Sequence, residues 1–481
     1  MNKLPRIIQG GMGVAISTWH LANTVSKLGQ LGIISGTGIV MVLTSRLMAG
    51  DKDGAMRRAL AHFPFQSIVQ DILDKYYVEG GIGPDEPFKR QTMWTHNPPP
   101  ELNILTVVAN FVEVWLAKQG HSNPVGINLL EKVQLPNLAS LYGAMLAGVD
   151  VVIMGAGIPL QIPGVLDDLA EHQDVSYRLD VEGAEPDDDF RIHLKPQELF
   201  PGIVEKLGAL KRPDFFPVIS SVVLGQALLK RATGKVNGFV VELPIAGGHN
   251  APPRGGMQLN ELGEPLYGPK DEVRLDRIAD LGVPFWIGGG YGSAEMYRQA
   301  RAVGAAGIQV GTAFAYCNES GMAPQVRAAV IQRLLNGEDV VVYTDPRISP
   351  TGYPFKVVQI EDTLAVPAVY QARPRICDVG FLRTAYKTAN GTLDYRCASE
   401  PIDTYLKKGG QEADTEGRGC LCNGLGAAAG YPQHQKNGYI EPVILTSGND
   451  LPNITQFFKP GQENYTAQDV IESLLMGESA S

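Results

Sequence analysis

Cysteine is scarce in this chain: five residues in 481, namely Cys317, Cys377, Cys397, Cys420 and Cys422. That usage fits a reducing cytoplasm better than a disulfide framework. Positive charge is also short. Lysine and arginine total 41 against 51 aspartates and glutamates, a formal net charge of −10. The balance argues against a nucleic-acid partner, which calls for a basic face. No window of about 18 apolar residues stands out, so no transmembrane helix and no membrane partner are expected. The opening MNKLPRIIQGGMG lacks the apolar core of a signal peptide, and a cytoplasmic location is the expectation. Finally, no G-x-G-x-x-G opens a strand–helix unit, which disfavours a dedicated dinucleotide fold.

Glycine is plentiful, with 55 residues, and proline numbers 33, but both are scattered singly and in pairs. The pattern is that of a turn-rich globular chain and not of low complexity. Eight short apolar runs recur, most of them ending in glycine: 6–10 (RIIQG), 32–36 (GIISG), 125–130 (VGINLL), 149–155 (VDVVIMG), 217–222 (PVISSV), 238–243 (GFVVEL), 284–290 (PFWIGGG) and 307–314 (GIQVGTAF). The runs are continuous rather than alternating, which suits parallel strands buried on both faces. Helical periodicity lies between them at 18–28, 135–147 and 293–303. Eight strand-then-helix units predict an α/β fold, a (β/α)8 TIM barrel over 1–335. It carries a helical insertion after strand 2 (about 51–124, with a helix at 102–118) and a C-terminal, cysteine-containing extension or cap over 336–481.

In such a barrel, function gathers at the C-terminal ends of the strands. The most informative of these ends is 240–256, VVELPIAGGHNAPPRGG. A β-branched run stops at Gly247-Gly248 and presents His249. Glycines let a ligand approach the backbone closely, and an imidazole suits proton transfer at neutral pH. The bland alternative is a turn that carries a histidine. Two consecutive units, PFWIGGGYGSAEMYRQA and GIQVGTAF, end in glycine before a helix, an arrangement that binds phosphate through backbone N–H groups. Gly289, Gly290, Gly311 and Thr312 are the candidates, with a mononucleotide the better fit. Plain turn chemistry is the competing reading.

IIQGGMG, VGINLL, VVIMGAGIP, VVELPIAGGH, PFWIGGGYG and GIQVGTAF, in this order, resemble the nitronate monooxygenase family (2-nitropropane dioxygenase-like), which are FMN-dependent barrels. The C-terminal part, with YTDPRISPTGYPFKV and GRGCLCNGL, looks like a longer bacterial branch of that family. The resemblance implies an FMN flavoprotein with His249 as catalytic base. Gly11, Met12 and Asn128 would lie at the flavin, and Gly289, Gly290, Gly311 and Thr312 would hold the phosphate. Gly247 and Gly248 would clear the backbone, and Glu242 would stand as the acidic residue of the sixth strand. Many members place a lysine after the fifth strand. Here Ser220-Ser221 stand there, so a flavin cation would either be missing or come from another residue, with Arg254 a candidate.

The implied activity is an oxidoreductase of the monooxygenase type, oxidising an alkyl nitronate with O2 to a carbonyl compound and nitrite. The same barrel and AGGH step also resemble FMN- and NAD(P)H-dependent enoyl-thioester (enoyl-carrier-protein type) reductases, and that alternative stays open. The partner is a small-molecule substrate, and a homo-oligomer is compatible with the sequence. Cys377, Cys397, Cys420 and Cys422 fall within one 46-residue span. Zinc or an iron–sulfur cluster is one reading of them and a set of buried, reduced thiols is the other.

Overall fold

A computed structural model describes residues 4–476, apart from 84 and 436. Eight parallel strands form the central sheet: β1 (Ile7–Gln9), β2 (Gly32–Ser35), β3 (Val125–Leu130), β4 (Val151–Gly155), β5 (Asp214–Ile219), β6 (Phe239–Glu242), β7 (Phe285–Gly288) and β8 (Gly307–Val310). Each pairs in parallel with the next, and β8 returns to β1 through Ile7↔Ile308 and Gln9↔Val310. The last seam closes at Leu31, whose N–H donates to the Ile7 carbonyl (3.1 Å) while Gln9 N–H donates to its own carbonyl (3.0 Å). The chain is therefore a closed (β/α)8 barrel.

The continuous apolar runs now have a reason. Alternate residues face opposite sides of a strand, and both sides are filled here. Ile8, Leu31, Ile33, Val151, Ile153, Phe216, Val240 and Trp286 pack together as a plug within the barrel. Their neighbours Ile7, Ile34, Val152, Phe215, Val241 and Ile287 join the larger core under the helices. Trp286 anchors the plug: it stacks on Phe216 at 4.9 Å and donates Nε1–H to the Pro5 carbonyl at 2.8 Å.

Two strand ends differ from the sequence expectation. β5 begins three residues before 217 and ends at Ile219, short of 222, because Ser221 is already the N-cap of the helix Val222–Arg231 and accepts from Leu224 N–H. β8 stops at Val310, where Gly311 turns the chain into the helix Thr312–Ala315. The helix Pro100–Ala117 is long and apolar enough to span a membrane by length and composition, with mean hydropathy 1.2, although no such window was expected. It is 78% buried inside the protein, packed against the helices Trp19–Lys27 and Asn137–Leu146 as the crossover between β2 and β3.

Beyond the barrel, Val342–Asp345 and Phe355–Val358 form an antiparallel hairpin, as do Thr384–Lys387 and Leu393–Arg396. This region has a small apolar cluster of its own around Ile348, Phe355, Leu421 and Ile444. Its last segment does not stand apart. Leu445, Leu451, Phe457, Tyr465 and Val470 belong to the same core as the barrel wall.

Candidate active site

A cavity of about 430 Å³ opens at the C-terminal ends of the barrel strands, within the range of about 300–1,000 Å³ usual for ligand pockets. All eleven positions singled out in the sequence line it. Gly11, Met12 and Asn128 form the wall at β1 and β3. Glu242, Gly247, Gly248 and His249 descend from β6, and Gly289, Gly290, Gly311 and Thr312 border it after β7 and β8. Gly11, Gly247, Gly289 and Gly290 leave no room for a side chain. A Cβ on Gly11 would lie 2.2 Å from the Asn128 Cβ, and Gly290, at φ +79°, would drive one to 2.2 Å from Ile245 Cδ1.

His249 is held by the C-terminal region. Its Nε2 shares a 2.7 Å hydrogen bond with Ser349 Oγ, which is itself 2.8 Å from Thr351 Oγ1. Its ring meets Phe355 edge-on at 4.8 Å. Around it the loop pairs with the chain at 354–356: Lys356 N–H donates to the Gly248 carbonyl (3.0 Å) and Asn250 N–H to that of Pro354 (2.9 Å). Burial, and then the charge of Lys132, hold the imidazole well below its ordinary pKa. The sequence suggested an unperturbed value near neutrality. The ring is instead neutral at pH 7, a proton acceptor.

Lys132, which sequence reasoning passed over, stands two residues beyond β3 and lines the same cavity. Its Nζ is buried without a hydrogen-bond partner. The ammonium lies 5.0 Å from the centroid of the Tyr353 ring. Burial lowers its pKa to about 7, opposed by Glu242. Burial likewise raises Glu242 to about 7, opposed by Lys132. The signal available in sequence was a lysine at a strand–helix junction of the catalytic face, without any glycine to draw attention to it. Arg254 does not supply the cation: it is exposed and donates to the carbonyls of Ser220 (2.6 Å) and Lys270 (2.7 Å).

Three further buried polar atoms in the lining lack partners, Asn250 Oδ1, Gln309 Oε1 and Ser447 Oγ. Buried polar groups are normally satisfied, so four orphans around one cavity mark a polar ligand's place. A glycine-cleared rim, this volume, and both donors and acceptors along the wall fit the flat, polar-edged ring of FMN. The glycine-turn end carries a complication. Thr312 Oγ1 donates to Asp450 Oδ1 (2.9 Å) and accepts from Gly448 N–H (3.1 Å). Burial raises the Asp450 pKa against that hydrogen bond, so a carboxyl group stands beside the expected phosphate position.

The metal expectation is corrected. Among the described residues no group of three or more His, Cys, Asp or Glu side chains could hold a metal ion. Of the four C-terminal thiols, Cys377, Cys397 and Cys422 have raised pKa values and Cys420 alone is lowered. Burial pushes Cys377 up to about 12 and Cys397 higher still. Cys422 donates its S–H to Cys420, which raises Cys422 and lowers Cys420. Cys317 is buried and donates to the Phe314 carbonyl at 3.2 Å.

No protein-family model and no curated protein matches the chain. Solved structures with a similar course include FabK from Thermotoga maritima, at 16% identity and TM-score 0.47, covering 99% of this chain and 93% of that one. A nitroalkane oxidase from Streptomyces ansochromogenes is 13% identical with TM-score 0.43, over 98% and 94% of the two chains. The enoyl reductase domain of MlnA from the macrolactin cluster of Bacillus amyloliquefaciens is 11% identical with TM-score 0.44, over 98% and 94%. Likenesses this distant carry no information about the chemistry of the site.

Proposed function

We propose that the protein is an FMN-dependent oxidoreductase that oxidises a small carbon acid of the nitroalkane–nitronate type, with His249 as the base. The observation that carries this reading is the state of His249: a neutral imidazole, oriented by Ser349, bordering a cavity with orphaned polar groups. A ring that is neutral at pH 7 is in the form that can accept a proton and has none in store to donate. When bound, FMN would supply the electron acceptor and the reaction with O2. Gln309 and Asn250 would meet its polar edge, and Met12 and Asn128 would bound its ring. The Lys132 charge would stabilise the anion left as the proton leaves carbon, while it opposes the charge gained by His249. Packing of residues 353–356 over the β6 loop keeps water from the imidazole.

The test is direct. The purified protein is expected to be yellow and to release FMN on denaturation. Its flavin is expected to bleach anaerobically with an alkyl nitronate, and nitrite to form when air returns. His249→Asn is expected to lower turnover by about 10²–10⁴-fold while leaving the bound flavin in place. A colourless protein that refuses FMN on reconstitution ends the reading.

A second reading, reduction of an enoyl thioester with NAD(P)H, is favoured by one feature. Ile158 and Tyr353 both line the cavity, yet they are 54% and 44% exposed, an apolar mouth suited to an acyl chain. Rapid anaerobic bleaching by NADH or NADPH, with none by nitronate, would select it.

A further inference from the structure

Lys132 is a cation without a structural task. Its backbone is fixed, the N–H donating to the Ala156 carbonyl at 3.2 Å, so the side chain is carried at the barrel's C-terminal end. Its neighbour Glu131 is not its counter-ion, being engaged by the Tyr177 hydroxyl and by Gln134. From the other elements, Glu242 on β6, His249 in the loop after it and the Tyr353 ring are the groups that face Lys132, and none hydrogen-bonds to its Nζ. A lysine kept for stability would be capped. An uncapped buried ammonium weakens the fold, and is retained where a ligand completes it.

We propose that Lys132 is the counter-ion of a planar, delocalised oxyanion conjugated to the reacting carbon, so that the substrate of this site is a carbon acid that reacts as its conjugate base. The proposal deepens the function given above and rests on it. In the step concerned, the C–H bond breaks and its proton passes to His249. The electron pair delocalises onto the nitro or acyl oxygen facing Lys132. Charge is conserved, since a neutral imidazole and a neutral acid become a cation and an anion beside a fixed ammonium. A substrate that arrives already ionised, as a nitronate does, takes the same place without the proton step. The electrostatics agree with this placement. Lys132 and Glu242 are both held near pH 7, so a monoanion would favour the charged ammonium and the protonated carboxyl together.

Calorimetric titration of the protein as purified, with propionate as a planar monoanion and propionamide as its neutral isostere, tests the idea without turnover. Wild type is expected to prefer propionate and to take up protons on binding it at pH 8. Lys132→Met is expected to weaken propionate at least tenfold, leave propionamide within twofold and remove the lysine's share of the proton uptake, leaving only that of Glu242. Lys132→Arg is expected to restore most of the affinity for propionate. The melting temperature of Lys132→Met should be equal to or above that of wild type, because an uncapped charge has gone. The proposal is overturned if wild type shows no preference for the anion, if the Met variant loses both probes equally, or if it melts lower or fails to fold. A colourless preparation would end the flavin reading on its own evidence, from the spectrum, and the calorimetry would still report on Lys132.

Discussion

Ser349 does for His249 what a triad's third member does for its base: it fixes the ring while standing away from the chemistry. It contributes a single 2.7 Å hydrogen bond from another part of the chain. Ser349→Ala is expected to lower kcat about tenfold with KM nearly unchanged, and Ser349→Thr to recover part of it; steady-state kinetics with a nitronate check this. Glu242 carries a second consequence. Its folded pKa is raised by burial from 4.5 to about 7. The stability this contributes is fully present below pH 4.5 and is lost as pH rises through 7. At about 1.4 kcal/mol per unit the loss is about 3 kcal/mol. Glu242→Gln should therefore match wild type at acid pH and exceed it by up to about 3 kcal/mol at pH 8 in urea melts. At this scale the sequence was legible where glycine marks chemistry. His249 stands out because Gly247-Gly248 precede it. Lys132 and Ser349 do not, because a lysine in NLLEKV and a serine in RISPT look like any others until the fold sets them beside one another.

Among elements, the eight barrel strands were readable because both of their faces are buried, so their apolar runs are unbroken. The boundaries slipped where a side chain, and not hydrophobicity, sets the end, as at the Ser221 cap. The segment 446–450 was not readable at all, since TSGND has neither periodicity nor an apolar run. Yet it straps the mouth of the site. Thr446 Oγ1 accepts from Gly248 N–H at 2.8 Å, Asn449 N–H donates to the Ile245 carbonyl at 3.1 Å, and Asp450 accepts from Thr312. Through Asp450 the strap places a carboxyl group where an anionic phosphate would dock. FMN affinity is expected to fall as pH rises through the Asp450 ionisation, whose pKa burial has raised. Asp450→Asn should flatten that dependence and tighten FMN several-fold, read by quenching of flavin fluorescence. Unchanged affinity across pH in both proteins would place the phosphate elsewhere.

At the scale of the whole molecule, the change of pattern near residue 336 suggests a barrel with a separate cap, but the energetics of the later chain point to one cooperative unit. Residues past that point orient the base through Ser349 and Phe355 and close the rim through Thr446. They also complete the barrel's own core. Leu451, Ile454, Phe457, Tyr465, Val470 and Leu474 are at most 4% exposed, and Tyr465 donates to the Ala313 carbonyl at 2.7 Å. Burying an apolar side chain of this kind contributes about 1.5–3 kcal/mol, so these six together are worth as much as the whole stability of a typical domain, about 5–15 kcal/mol. A fragment ending at residue 335 is therefore expected not to fold into a cap-free flavoprotein. It should be insoluble or, if refolded, lack a cooperative thermal transition and bind FMN at least a hundredfold more weakly. A fragment that melts cooperatively and holds FMN like the full chain would show that the C-terminal helices only decorate a barrel able to stand alone.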